Sequence, residues 1–111
     1  MHTERIPPHP DVAALTLQRL LEALVDPVRR SIVEQLYDAS ADVACGGFDL
    51  PVGKSTATHH FRVLREAGLI RQYYEGTSRM NTLRRREIDA AFPGLLESVV
   101  AADRADRAAA R

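Results

Sequence analysis

A mainly α-helical domain with one small β-hairpin is predicted for this 111-residue chain. Two observations carry that prediction. Apolar residues recur at three- and four-residue steps in four separated segments, which is the period of a helix face. A further segment, 69–84, instead shows two strand-like runs rich in Tyr, Ile, Thr and Leu around Glu75-Gly76-Thr77-Ser78, with Gly76 free to adopt a positive φ. The length and an apolar content of 45% fit one domain. Residues 1–10, with three prolines and little to bury, read as a mobile arm, 11–103 as the folded domain and 104–111 as a frayed tail.

From Asp11, the positions Leu17, Leu20, Leu21 and Leu24 describe one face of a first helix ending near Val25. Asp26-Pro27 then starts a second helix, because Asp is a good N-cap and Pro at the first helical position forfeits no intrahelical bond. Val28, Ile32 and Leu36 are its stripe, and it ends near Tyr37 or Asp38. Gly46-Gly47 and Pro51 break the next segment, while Phe48, Leu50 and Val52 alternate as a short extended piece would. A third helix spans 54–67, with Ala57, Phe61 and Leu64 turned inward and Gly68 as its left-handed stop. The hairpin occupies 70–84. From Glu87 onward Ile88, Ala91, Phe92, Leu95, Leu96, Val99 and Val100 describe one helix, bent or divided at Pro93 and fraying near Arg107.

The net charge of zero conceals strong segregation. Residues 1–53 carry net −4, residues 87–111 net −2, and residues 54–86 hold eight cations against Glu66 and Glu75, net +6. A basic block centred on one helix and the following hairpin is the electrostatic footprint of a protein that meets a polyanion. A single cysteine excludes an internal disulfide, and no window approaches the length of an apolar membrane span. The N-terminal stretch lacks the apolar run of a secretory signal. A cytoplasmic protein without membrane association is expected.

Metal and catalytic chemistry find little support. His59 and His60 are adjacent and project about 100° apart on a helix, so they do not readily share one ion. His59 is expected to face outward, and His60 toward the helix junction. Ser55 and His59 stand at i, i+4 without a third group to orient a nucleophile–base pair. No cofactor and no enzymatic activity are expected. Cys45, beside two glycines, is a candidate redox group against the plainer reading of a small loop residue.

The runs LVDPVRRSIVEQL, STATHHFRVLREAGLI and YYEGTSRMNTL together resemble the ArsR/SmtB family of bacterial winged helix-turn-helix repressors, over residues 12–100. The resemblance implies a winged helix-turn-helix fold, dimeric through its first and last helices. It further implies a sequence-specific DNA-binding transcriptional regulator, with helix 54–67 in the major groove of double-stranded DNA and the hairpin as wing. Lys54, Ser55, Thr56, Thr58, His59 and Arg62 are then the candidate contacts of the helix and Arg79 that of the wing. Arg65, nearer the helix end, suits positioning or an ion pair. Leu17, Leu20, Leu21, Leu24, Leu95, Leu96, Val99 and Val100 are the expected homodimer surface. Family members that sense metals do so through several thiolates near the connector, or through Asp, His and Glu on the last helix. Here the connector offers one thiol and the last helix neither His nor Cys, so no metal site is assigned and the effector, a small molecule or otherwise, is left open. The alternative is a winged-helix module whose basic face meets an acidic protein rather than DNA.

Overall fold

The structure, a computed structural model, describes residues 6–110. The first helix covers its apolar pattern but starts later than the expected Asp11. Val12–Ala14 form a single 3-10 turn, Leu15 and Thr16 are extended, and α1 covers Leu17–Leu24. Thr16 sets that start: its hydroxyl accepts the Arg19 N–H at 3.2 Å, which fixes it as N-cap.

Asp26 opens α2, Pro27–Asp38, by accepting the N–H groups of Val28 and Arg29 at 2.8 and 3.2 Å, with Pro27 in the first turn. The two arginines that follow close the other side of the turn. Arg29 donates to the carbonyls of Glu22 and Ala23, and Arg30 to those of Leu24 and Val25. The carbonyls left over at the end of α1 are thus satisfied by the first turn of α2, so the Asp-Pro-x-Arg-Arg run caps two helix ends at once.

The connector differs from expectation. Its strand is β1, Val43–Ala44, not the alternating Phe48, Leu50 and Val52. Cys45–Gly47 form a 3-10 turn, and Phe48 and Leu50 lie against the core as single anchors. β1 pairs antiparallel with β3 (Ser78–Leu83), which pairs with β2 (Ile70–Glu75), giving the order β1-β3-β2. Glu75 faces Ser78 across the turn at Gly76, whose φ is +62°.

Between connector and hairpin runs α3, Lys54–Ala67. Gly68 ends it with φ +88°, and a Cβ there would stand 2.0 Å from the Leu15 side chain. Backbone conformation and space therefore both demand glycine. The last segment is divided: α4 covers Arg85–Ala91, and α5 begins at Leu95 after Pro93-Gly94. α5 is helical through Ala109, past the fraying point expected at Arg107. Arg107 binds both carboxylate oxygens of buried Glu34, and Arg104 pairs with Asp38, so α2 holds the end of α5.

The core joins α1, α2, α3, β2, α4 and α5 through Leu20, Ile32, Leu64, Leu69, Ile70, Ile88 and Leu96, all fully buried. Of the residues expected at a dimer surface, Leu20, Leu24, Leu96 and Val100 are buried within the single chain. Leu17 and Leu21 remain exposed and Leu95 and Val99 half-buried, joined by exposed Val12 and Val25.

Candidate nucleic-acid interface

The 3.6-residue period of α3 separates two faces. Phe61, Leu64, His60 and Ala67 are buried, and Ala57 is half-buried. Lys54, Ser55, Thr56, Thr58, His59 and Arg62 are all exposed. The helix opens at Gly53, which offers no side chain to the first N–H groups, and its first turn carries no acid. Free backbone donors, hydroxyls and cations therefore converge at one end and along one side of α3, an arrangement suited to anionic oxygens.

Neighbouring side chains set the attitude of this helix. His60 Nδ1 lies 3.2 Å from the Arg29 guanidinium, linking α3 to the α1–α2 turn. Burial pushes the His60 pKa below its ordinary value, with Asp26 opposing and Arg29 and His59 reinforcing the shift. The guanidinium can only donate, so Nδ1 is the acceptor in this contact. His59 instead faces outward, its Nδ1 3.1 Å from Arg62, so the two histidines do take different directions. Among the described residues no group of three or more His, Cys, Asp or Glu side chains converges as metal ligands would.

At its other end α3 is tied to the wing through a buried polar chain. Arg65, 5% exposed, donates to Gln72 Oε1 at 2.8 Å. Gln72 Nε2 donates to Asn81 Oδ1 at 2.8 Å, and Asn81 Nδ2 to the Val43 carbonyl at 3.1 Å and towards Cys45 Sγ at 3.2 Å. α3 and all three strands are thereby joined. Burial, then the Arg79 charge, lower the Arg65 pKa, and its Nε finds no partner among the described residues. Of the positioning or ion-pair role expected for Arg65, the structure shows instead a buried contact to an amide. Gln72 and Asn81 were not singled out from sequence, yet the signal was available: Gln72 has the same strand parity as buried Ile70, and a polar side chain there requires a partner.

On the hairpin, Arg79 is half-buried and lies over the Tyr74 ring with its guanidinium carbon 5.2 Å from the centroid, donating to the Tyr74 hydroxyl at 2.9 Å. Of two other cations of the basic block that meet Glu87, Arg84 turns inward and Arg71 stays exposed. Arg84, 4% exposed, binds Glu87 twice and the Pro10 carbonyl, and Arg71 also pairs with Glu87. The Arg84 bond, together with His9 Nε2 accepting the Gln72 N–H at 2.9 Å, seats residues 9 and 10 on the sheet edge. Met1–Arg5 of the predicted arm lie outside the described residues. Cys45 is free and half-buried.

No protein-family model matches the chain. It is 32% identical over 83 residues to the uncharacterized HTH-type transcriptional regulator YceK of Bacillus subtilis, covering 73% of this chain and 83% of that one. It is 37% identical over 65 residues to the HTH-type transcriptional regulator Rv2034 of Mycobacterium tuberculosis, covering 59% and 61%. Two solved structures share the fold. An ArsR family transcriptional regulator superposes with a TM-score of 0.61 at 21% identity, over 74% of this chain and 90% of its own. An ArsR-like regulator from a Rhodococcus species gives 0.60 at 24% identity, over 85% and 87%. With helix, connector, polar-faced helix and wing in the same arrangement, the chain belongs to the HTH-type transcriptional regulators and has the winged-helix fold of the ArsR family.

Proposed function

We propose that this regulator is a homodimeric repressor that places α3 in the major groove and the β2–β3 hairpin against the adjacent backbone. The observation that carries the reading is the exposed row Lys54, Ser55, Thr56, Thr58, His59 and Arg62, opposed by Glu66 alone and backed by a buried stripe. A groove about 12 Å wide admits one such helix. Ser55 and Thr56, in the first turn, suit a phosphate; Thr58, His59 and Arg62 suit base edges. Arg79, held over Tyr74, suits a phosphate at the wing.

One helix makes few contacts, and a twofold pair reading half-sites about 34 Å apart multiplies them. Exposed Leu17, Leu21 and Val25, with Leu95 and Val99, supply the apolar surface for that pairing. Repression follows if the occupied site overlaps that of the transcription machinery.

Selection of duplexes from a random pool, followed by footprinting, tests the reading. A preferred sequence with dyad symmetry, bound at least about a thousandfold more tightly than random duplex and with affinity falling steeply with salt, is expected. Binding that ignores sequence or salt would refute it.

A further inference from the structure

Between the connector and α3 lies a cavity of about 390 Å³. Phe48, Leu50, Val52, Ala57 and Phe61 make its wall, the two rings tilted at a centroid distance of 5.2 Å. Exposed Lys54 and Thr58 complete the lining beside the Cys45 thiol. The core beyond Phe61 is closed, with Leu64, Leu69 and Ile70 fully buried, so this is a bounded recess and not general looseness. Its size and aromatic–aliphatic wall are those of small-molecule sites, and such a wall gives water few partners.

Charge selects the occupant. None of the ion pairs among the described residues involves Lys54. An unpaired cation on an apolar recess matches a ligand with a hydrocarbon body and one carboxylate: burying the body is favourable, while the charge stays paired and partly hydrated. We propose that the cavity binds a small alkyl or aryl carboxylic acid, its body against Phe48, Leu50 and Phe61 and its carboxylate on Lys54, and that this acid and a duplex exclude one another.

The exclusion, which rests on the reading of α3 as the recognition helix, follows from shared residues. Lys54 and Thr58 belong both to the cavity lining and to the groove-facing row. A carboxylate held there neutralises Lys54 and sets a negative charge where a phosphate would lie. Linkage then requires that duplex weaken the acid by the same factor as the acid weakens duplex.

Cys45, the sole cysteine of the chain, reports occupancy directly. Its alkylation by iodoacetamide is followed in the free full-length protein with octanoate or octanol present. Octanoate is expected to slow alkylation tenfold or more and octanol far less, and Lys54→Gln, at an exposed position, to abolish the difference between them. Unchanged alkylation, or equal protection by octanol, overturns the site whatever duplex binding proves to be. With a selected duplex, octanoate but not octanol is expected to raise the apparent Kd at least tenfold. Retention of duplex at saturating octanoate overturns the exclusion, and a protein that is protected at Cys45 but binds no duplex fails the repressor reading while upholding the site.

Discussion

Phe61 is 4% exposed, and its ring meets that of Phe48. Phe61→Ala is expected to cost about 3 to 5 kcal/mol, because the vacated volume is walled by neighbours that relax only partly; a melting temperature near that of the parent would contradict it. Arg62 and Arg79 lie on the surface side of α3 and the wing. Arg62→Ala and Arg79→Ala are each expected to weaken duplex binding, Arg62→Ala with unchanged melting, and to reduce the slope of log affinity against log salt by up to about one where a phosphate contact is lost. Gel-shift titration across salt concentrations measures both. At this scale the sequence was most legible where one residue's direction decides its environment: the 100° step separates His59 from His60 without further information. The inward turn of Arg84 was not legible, because it depends on Glu87 and the Pro10 carbonyl meeting at one point of the folded chain.

Elements are joined here by polar groups as much as by apolar ones. Gln72 stands between Arg65 and Asn81, so Gln72→Leu removes the acceptor of a buried guanidinium and the donor to a fully buried amide. A loss of about 1 to 3 kcal/mol per unsatisfied group is expected in urea unfolding. The isosteric Gln72→Glu keeps an acceptor for Arg65 and is expected to lose less, and a Leu variant as stable as the parent would show that the chain contributes nothing. Helices α2 and α3 were legible because each has local caps, Asp26-Pro27 and Gly68, that agree with its apolar period. β1 was not, since two residues carry no period and acquire their identity only by pairing with Asn81 and Met80. The start of α1 was placed too early, because the Thr16 cap marks it and the Leu15 side chain before it is engaged beside Gly68.

For the molecule as a whole, two histidines carry a pH dependence. Burial lowers the pKa of His9, reinforced by Arg71, Arg65 and Arg84, and burial lowers that of His60 as well. The unfolded chain takes up protons near 6.5 while the folded chain still resists, so stability falls as pH drops from that value towards the depressed folded values. Melting followed from pH 7.5 to 5.5 is expected to show this decline, and a double variant His9→Gln, His60→Gln to flatten it; an equal slope in parent and variant would assign the effect elsewhere. The segregation of charge was legible at this scale from the sequence, as were the three helices ahead of the hairpin, while the one helix expected after it is divided in two at Pro93-Gly94. Which leucines serve the single chain and which stay outside was not, because a stripe of apolar residues reports burial without saying by what.

The seat of His9 on β2 reaches beyond the histidine itself. β2 is an outer strand of its sheet, and the ring nitrogen occupies the Gln72 amide, which would otherwise be a dangling donor. A strand border left open invites the border of another molecule to add to it. Cleavage ahead of Pro10, or acidification that protonates the ring, is expected to free that amide and so to leave one unpaired donor on the outer strand, where a second strand could add.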